Sequence, residues 1–505
     1  MKKKVFITGA SGGMGQQSLK QMIKDRNLYD ITILSFDSPK DRAALQPYTA
    51  YKEVTIYYGD LLDYELVKKC VKNADLILHI AAFVSPAADY YPKKAMEINY
   101  GSARNIVHAI FELGQEERTK LVNIGTIAET GDRMPPIHWG RVGDPIKTSM
   151  YDYYAVSKVA AERLVIESGL KYWVSLRQTG IMGPAMSKIV DAIMFHNCLD
   201  NVLEYVSDRD SGRLMGNLCQ YEFTGKLPGG FWNHIYNIGG GESCRVSTYE
   251  MYQVLYGAIG FKNLDHAINP KWYATRNFHG QYYLDSDKLD DYLHFRHDGM
   301  DYFYKCYLEN LGGQATLAKI LCKLPGGQKL MGTIMKKMFL KQARSAHGTV
   351  HFIEDNVADH IDAYWGSKEK WEKIPKKLSD FEHFTDWNKK VVLDHGYDET
   401  KAPEWLSIND VKGAAKFRGG ECLSTSLETG NWQQKLEFRC AFGHTFEASP
   451  KLVLEGGHWC PECERESWNY SERAKVDSFF AQVWNPLHDA NETRVYKKVV
   501  SERDV

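Results

Sequence analysis

Apolar and polar positions along the first half of the chain alternate in blocks. Val5-Phe6-Ile7, Ile31-Thr32-Ile33-Leu34, Val54-Thr55-Ile56-Tyr57-Tyr58, Leu76 to Ala82 and Lys120 to Ile124 are short, largely apolar runs. Such runs predict strands buried on both faces, as in a parallel sheet. Between them lie stretches with helical spacing, Gln16 to Asp25 and Ala95 to Leu113. Tyr151 to Ser168 follows the fifth run, with Ala155, Val156, Val159, Ala160 and Leu164 on one side and Gly169 as its stop. The alternation predicts an α/β fold, a doubly wound parallel sheet covered by helices. His79, inside the fourth run, is expected to be structural.

With 505 residues the chain exceeds one ordinary core, so two or three domains are expected. Charged residues make up 25% and the net charge is −1, which gives no global pull towards nucleic acid or membrane. No run approaches the ~20 apolar residues needed to cross a bilayer. The opening Met1-Lys2-Lys3-Lys4 meets the glycine turn too soon for a signal peptide, and the expected location is cytoplasmic. Ten cysteines over this length make no disulfide framework, and the only Cys-x-x-Cys comes late, where it reads as metal-binding.

The first strand breaks into Thr8-Gly9-Ala10-Ser11-Gly12-Gly13-Met14-Gly15 and then into a helix. Gly9 permits a tight turn, Gly12 lets backbone approach a pyrophosphate, and Gly15 lets helix and strand pack closely; the helix N-terminus holds the negative charge. Ser11, Gly13 and Met14 complete the candidate dinucleotide loop. Asp37, 22 residues past Gly15, is the candidate for the adenosine ribose and favours NAD, while Lys40 and Arg42 leave NADP open. Ala81 and Ala82, small residues ending the fourth strand, suit a backbone beside a flat ligand. On the helix after the fifth strand, Tyr154 and Lys158 are four apart and share a face. An ammonium beside a phenol is expected to lower its pKa and make it a usable general acid/base. Thr126, at the strand end, suits a hydrogen bond to a substrate oxygen.

These residues resemble the extended short-chain dehydrogenase/reductase family, from Met1 to about Leu308. Further motifs are Gly59-Asp60-Leu61, His79-Ile80-Ala81-Ala82, Asn99-Tyr100-Gly101, Gly125-Thr126, Tyr154-Ala155-Val156-Ser157-Lys158, Leu176 to Pro184 and Tyr236 to Gly241. The resemblance implies a Rossmann-type NAD(P)-binding domain over residues 1–185 and a substrate-binding portion over 186–312, beginning with a helical Ala185 to Cys198. It implies Tyr154 as acid/base, Lys158 on the nicotinamide ribose, Thr126 on the reacting oxygen, and Asp60 and Leu61 beside the adenine, with Asn99 in the cofactor set. Sugar-nucleotide dehydratases of this family carry an acidic pair after the catalytic Thr, where this chain has Ile127-Ala128; Glu129 stands too far along to take that role. Many nucleotide-sugar epimerases carry Asn where this chain has Gly180. Leu176 to Pro184 looks more like the hydroxysteroid-dehydrogenase and carbonyl-reductase branch, although Gln178 replaces its usual proline. The implied reaction is net hydride transfer with a small-molecule alcohol or carbonyl substrate. An epimerase using bound NAD is the enzymatic alternative, and a non-catalytic dinucleotide-sensing scaffold the alternative of another class.

Residues 313–415 read as a helical lid or connector. Ala315 to Phe352 holds seven Lys/Arg and no Asp or Glu, with Leu330, Ile334, Met335, Met338 and Phe339 near helical spacing. The reading preferred there is a helix packed on the catalytic domain with its lysines in water, above a substrate lid and above membrane contact. Residues 416–505 read as a zinc-ribbon-like module. Cys440, His444, Cys460 and Cys463 form two close pairs that suit a closed tetrahedron of structural zinc, with His458 as a rival to His444. From Lys401 to Val505 there are 14 Lys/Arg and 16 Asp/Glu, a balance of −2 that speaks against nucleic acid and for packing on the enzyme or a homo-oligomer contact. Metal would substitute for a core that a module this small barely provides.

Overall fold

A computed structural model describes residues 2–505 of the chain. Seven strands form one parallel sheet: β1 (Lys3–Thr8), β2 (Tyr29–Ser35), β3 (Val54–Tyr58), β4 (Leu76–His79), β5 (Lys120–Thr126), β6 (Tyr172–Gln178) and β7 (His234–Ile238). Their order is β7-β6-β5-β4-β1-β2-β3. The chain therefore reverses direction across the sheet between β1 and β4, whose register runs Val5↔Leu76 to Thr8↔His79. In open sheets of this kind the ligand crevice lies outside the carboxyl ends of the strands at that switch point. Except at the edge strand β3, which is only half-buried, the apolar runs expected to be strands are buried because helices cover both faces.

Helix α1 (Gly13–Met22) follows β1 and packs on α4 (Asp208–Thr224) on one face. Helices α2 (Pro92–Glu112) and α3 (Tyr153–Ile166) pack together on the other. The side chain of Asp152 caps α3 by accepting from Ala155 N at 2.8 Å. His79 is structural, bonded through Nδ1 to Thr8 Oγ1 at 2.9 Å and through Nε2 to Ser102 Oγ at 3.2 Å. Burial holds its pKa down at about 3.

Beyond the sheet, two expectations are corrected. Ala185 to Cys198 is not one helix but a short 3₁₀ turn, Met186–Lys188, and a four-residue helix, Ile193–His196. Asp191 restarts the chain by accepting from Ile193 N at 3.0 Å and from the Tyr90 hydroxyl at 3.0 Å. The region 313–415 is helical only in part. It holds α5 (Gly313–Lys323), α6 (Gly327–Ala343), α7 (Thr349–Glu354) and α8 (Ala358–Trp365), then Lys368–Lys373. The stretch after it is mostly irregular, tied down by bonds such as Trp139 Nε1–H to Trp387 O at 2.9 Å.

The C-terminal region carries an antiparallel sheet of β8 (Glu421–Cys422), β9 (Leu436–Arg439) and β10 (Thr445–Ala448). It does not hang free. Phe438, Phe446, Leu452, Val453 and Trp459 share one buried cluster with Ile106, Ile110, Val165 and Ile166 of α2 and α3. The module thus has a substantial apolar core, borrowed in part from the sheet domain.

Candidate active site and metal centre

The glycine loop occupies the switch point. Gly9 has φ +70°, and a Cβ there would lie 2.6 Å from Ala81 N; a Cβ on Gly15 would lie 2.1 Å from Gly9 O. Only glycine fits either position. Gly12 is the N-cap of α1 and offers no side-chain cap, and the first turn holds no acidic residue. The orphan N–H groups and the positive end of the helix are left for an anion, so the loop fits a dinucleotide pyrophosphate. Asn99 is tied into the loop after β4: its Oδ1 accepts from Phe83 N at 2.7 Å and its Nδ2 donates to Phe83 O at 3.0 Å. Asp37 stands at the exposed end of β2, held by Arg42 through bonds of 2.6 and 3.0 Å. That bond lowers the Asp37 pKa. Asp60 accepts from Leu62 N at 2.9 Å, and Leu61 packs against the core.

Thr126, Tyr154 and Lys158 come together at the carboxyl end of β5. The Thr126 side chain stands close enough to the Tyr154 phenol to favour its ionised form, and Lys158 lies one turn further along α3, 1% exposed. The expected lowering of the phenol is not found. Burial raises the Tyr154 pKa, outweighing the Thr126 side chain that lowers it, and Glu129, Asp152 and Asp89 push the same way as burial. Lys158 is held down at about 8 by burial, although Glu129 and Glu162 favour its charge. The chain alone thus holds a neutral phenol beside a readily neutralised amine.

Beneath this set lies a buried charge cluster that the spacing of residues did not reveal. Glu129 Oε1 accepts from Thr126 N at 3.0 Å, closing a capping box with the Thr126 side chain. Arg177 Nε lies 3.2 Å from Glu129 Oε2, and its Nη2 donates to Glu162 Oε1 at 2.6 Å. His458, from the C-terminal module, reaches Glu162 Oε1 through Nε2 at 3.0 Å. Burial and the neighbouring Glu162 raise the Glu129 pKa. Burial also works against the Glu162 charge, but Arg177 and the His458 bond outweigh it and hold that carboxylate low. The four residues come from four distant segments, so no local pattern could have joined them. His458 drew notice only as a rival zinc ligand.

A cavity of about 420 Å³ borders the N-terminal turn of α3. Asp89, on its wall, accepts from Tyr154 N at 3.1 Å, and Asp152 accepts from His279 Nδ1–H at 3.2 Å. Burial and Asp152 raise the Asp89 pKa to about 7. Imidazoles of His196, His347, His351 and His360 line the other side, with Tyr90, Tyr151, Phe352 and Tyr364 between them. Burial holds His196 and His360 down at about 4, so both are neutral at physiological pH. No lysine or arginine lines the cavity among the described residues. A larger cavity, about 720 Å³, opens on the far side of α3 against the C-terminal module; Thr126, Tyr154 and Lys158 line neither cavity, the smaller one reaching α3 only at Tyr153 and its cap Asp152.

The four residues expected to bind metal converge. Cys440 Sγ lies 3.5 Å from His444 Nδ1 and 3.7 Å from Cys463 Sγ; His444 Nδ1 lies 3.3 Å from Cys463 Sγ and 3.6 Å from Cys460 Sγ. A tetrahedron built on zinc–ligand bonds of about 2.0 to 2.3 Å has edges of roughly 3.4 to 3.8 Å. His458 faces Glu162 and is excluded from this set.

With this geometry in view, the likeness to known proteins falls on the sheet domain. Residues 5–213 match the NAD dependent epimerase/dehydratase family. The epimerase/dehydratase-type region is 29% identical over 194 residues to the 3 beta-hydroxysteroid dehydrogenase/Delta 5-->4-isomerase of Vaccinia virus (strain Ankara), covering 35% of this chain and 52% of that protein. It is 29% identical over 114 residues to a UDP-N-acetylglucosamine 4,6-dehydratase (inverting) of Campylobacter jejuni, covering 22% of this chain and 34% of that one. The chain spans about half the length of the first of these relatives. Among solved structures, a dTDP-glucose 4,6-dehydratase from Streptomyces venezuelae with NAD bound aligns with a TM-score of 0.49 and 20% identity, over 62% of this chain and 99% of that one.

Proposed function

We propose that the protein is an NAD(P)-dependent oxidoreductase that interconverts a ring alcohol and its carbonyl. The observation that carries this reading is the meeting of Thr126, Tyr154 and Lys158 beside the glycine-loop switch point. Gly9, Gly12 and Gly15 would hold the dinucleotide pyrophosphate, and Lys158 its nicotinamide ribose; Asp37 favours NAD. The bound nicotinamide would supply the hydride acceptor or donor. Thr126 orients the substrate oxygen. In the reductive direction the neutral Tyr154 phenol gives its proton to the nascent alkoxide and is reprotonated from the Lys158 ammonium; in the oxidative direction Tyr154 takes the alcohol's proton as its own passes to the neutral Lys158 amine.

The histidine-lined cavity supports a substrate without phosphate. A nucleotide sugar carries a diphosphate, which proteins meet with arginine or lysine, and this wall offers neither; beside its aliphatic and aromatic residues it holds the Asp89 and Asp152 carboxylates, imidazoles, the Ser85 and Ser149 hydroxyls and the Asn277 amide. The arginines of residues 186–312 are all engaged: Arg209 and Arg213 with Asp298, Arg245 with Glu204, Arg276 with Glu492 and Arg296 with Asp287. The test follows cofactor absorbance with cyclic alcohols and ketones against UDP-glucose. Tyr154→Phe should cost about 10²–10⁴ in rate with the ring substrate while dinucleotide binding persists. Conversion of UDP-glucose to its epimer with no net change in cofactor absorbance, and no turnover of the cyclic alcohols and ketones, would return the epimerase reading. We further propose that Cys440, His444, Cys460 and Cys463 hold a structural zinc, since their donor spacing suits a closed four-coordinate site. Metal analysis of the purified protein should find about one zinc per chain, lost in Cys463→Ser.

A further inference from the structure

The reaction leaves one conspicuous surface unused. Helices α5 and α6, joined through Leu324-Pro325-Gly326, form a hairpin on the substrate portion. Its inner side is buried: Ala318 and Cys322 of α5 and Met335 and Phe339 of α6 share a core with Tyr256 and Phe261. Its outer side is also apolar. Leu317, Ile320 and Leu324 are 67, 55 and 55% exposed, and Leu330, Ile334 and Met338 are 52, 47 and 53% exposed. Leu317 and Ile320, three apart, share a face of α5, with Leu324 at its C-terminal cap, and Leu330, Ile334 and Met338 at i, i+4, i+8 share one face of α6. An apolar strip of this length, left in water, marks an interaction site.

Charge decides what covers it. Lys319, Lys323, Lys329, Lys336, Lys337 and Lys341 are exposed among these residues, and none of the six is in an ion pair among the described residues. The one arginine of the segment, Arg344, is taken by Glu354. No acidic residue occurs from Ala315 to Phe352. A second copy of the same face would bring these lysines against their equals. Protein interfaces are depleted in lysine and enriched in arginine, the reverse of what stands here. A fluid anionic surface asks for no matching shape, accepts apolar side chains between its headgroups and attracts each lysine. Neither helix is long and apolar enough to cross a membrane.

We infer that the α5–α6 hairpin docks the protein peripherally on an anionic lipid surface. The apolar trios enter the headgroup boundary and the lysines sit at lipid phosphates. The chain leaving α6 goes on to form one wall of the histidine-lined cavity through His347 and His351, so docking brings that cavity near the lipid.

Co-sedimentation of the full chain with vesicles tests this. Binding to phosphatidylcholine vesicles mixed with phosphatidylserine should exceed binding to phosphatidylcholine alone by at least about tenfold and weaken with added salt. Ile334→Glu with Met338→Glu should abolish it, and Lys336→Gln with Lys337→Gln should reduce it. Both pairs are at or near the surface, so melting temperature and dinucleotide affinity should hold in each, and those controls identify a variant that has simply unfolded. Leu317→Glu on the other helix is the independent second probe. Absence of binding to the anionic vesicles, or binding unchanged by the glutamate variants, overturns the inference. So does the finding that those variants split a dimer in solution, which would make the strip a contact between copies.

Discussion

Tyr154 and Lys158 were legible at once because the spacing that matters is four residues on one helix, while their protonation was not. Burial is a property of everything packed around them, and it reverses the expected direction for the phenol. Lys158, lowered to about 8 by burial, carries its charge below that pH and loses it as pH rises through it. We therefore expect kcat/KM for carbonyl reduction to fall on the alkaline side with an apparent pKa near 8, read from initial rates across pH. Asp89 shows the opposite sign. Its folded pKa is raised from 3.8 to about 7 by burial and by Asp152, so it costs stability as pH rises from about 4 to about 7, and the cost persists above. Asp89→Asn keeps an acceptor for Tyr154 N and removes the charge. It should raise stability at pH 8 by on the order of 1–3 kcal/mol and by almost nothing near pH 4, as thermal melts at the two pH values would record.

Among the elements, the strands, α2 and α3 could be read because each carries a local period. The α5–α6 hairpin could be read only in part: its spacing announced an apolar helix, and the buried half packs as expected, but α6 carries apolar residues on two faces and spacing does not say which one the core takes. The cluster Glu129–Glu162–Arg177–His458 was illegible, being assembled from β6, α3, the turn after β5 and the C-terminal module. It ties the capping box at Thr126 to a histidine in the C-terminal module, through Glu162 and His458, which are 296 residues apart. Removing one partner leaves buried charge short of a bond. Glu162→Gln should cost about 3–5 kcal/mol by denaturant titration, since Arg177 keeps only Glu129 as a counter-charge beside its bond to Gly456 O. His458→Phe keeps bulk and loses only a hydrogen bond, and should cost about 1–3 kcal/mol. If the cluster also positions Thr126, both variants should lower kcat more than they raise KM, whereas a purely structural role would leave kcat per folded molecule unchanged.

For the whole molecule, composition and cysteine spacing suggested a metal module packed on the enzyme or making an oligomer contact, and the structure shows it sharing the enzyme's core. The apolar core under α2 and α3 shares one cluster with Phe438, Leu452 and Trp459, and Cys460 belongs to it, buried in the same cluster. Ion pairs cross the same junction, Arg163 with Glu464 at 2.7 Å and Lys435 with Glu167. Ligands held by one zinc would fix Cys440 and His444, which flank the turn between β9 and β10, against Cys460 and Cys463, and so fix the loop that presents His458 to Glu162. A free-standing module would melt in its own transition and leave the sheet domain intact after chelation. A shared core predicts coupled loss: scanning calorimetry should show one main transition, moved down as a whole when metal is withdrawn with a strong chelator. Activity and dinucleotide binding should decline together with it, because the face of α3 opposite Tyr154 would lose its cover. Two well-separated transitions, with hydride transfer surviving metal removal, would show that the junction is only contact and that the catalytic helix stands without it.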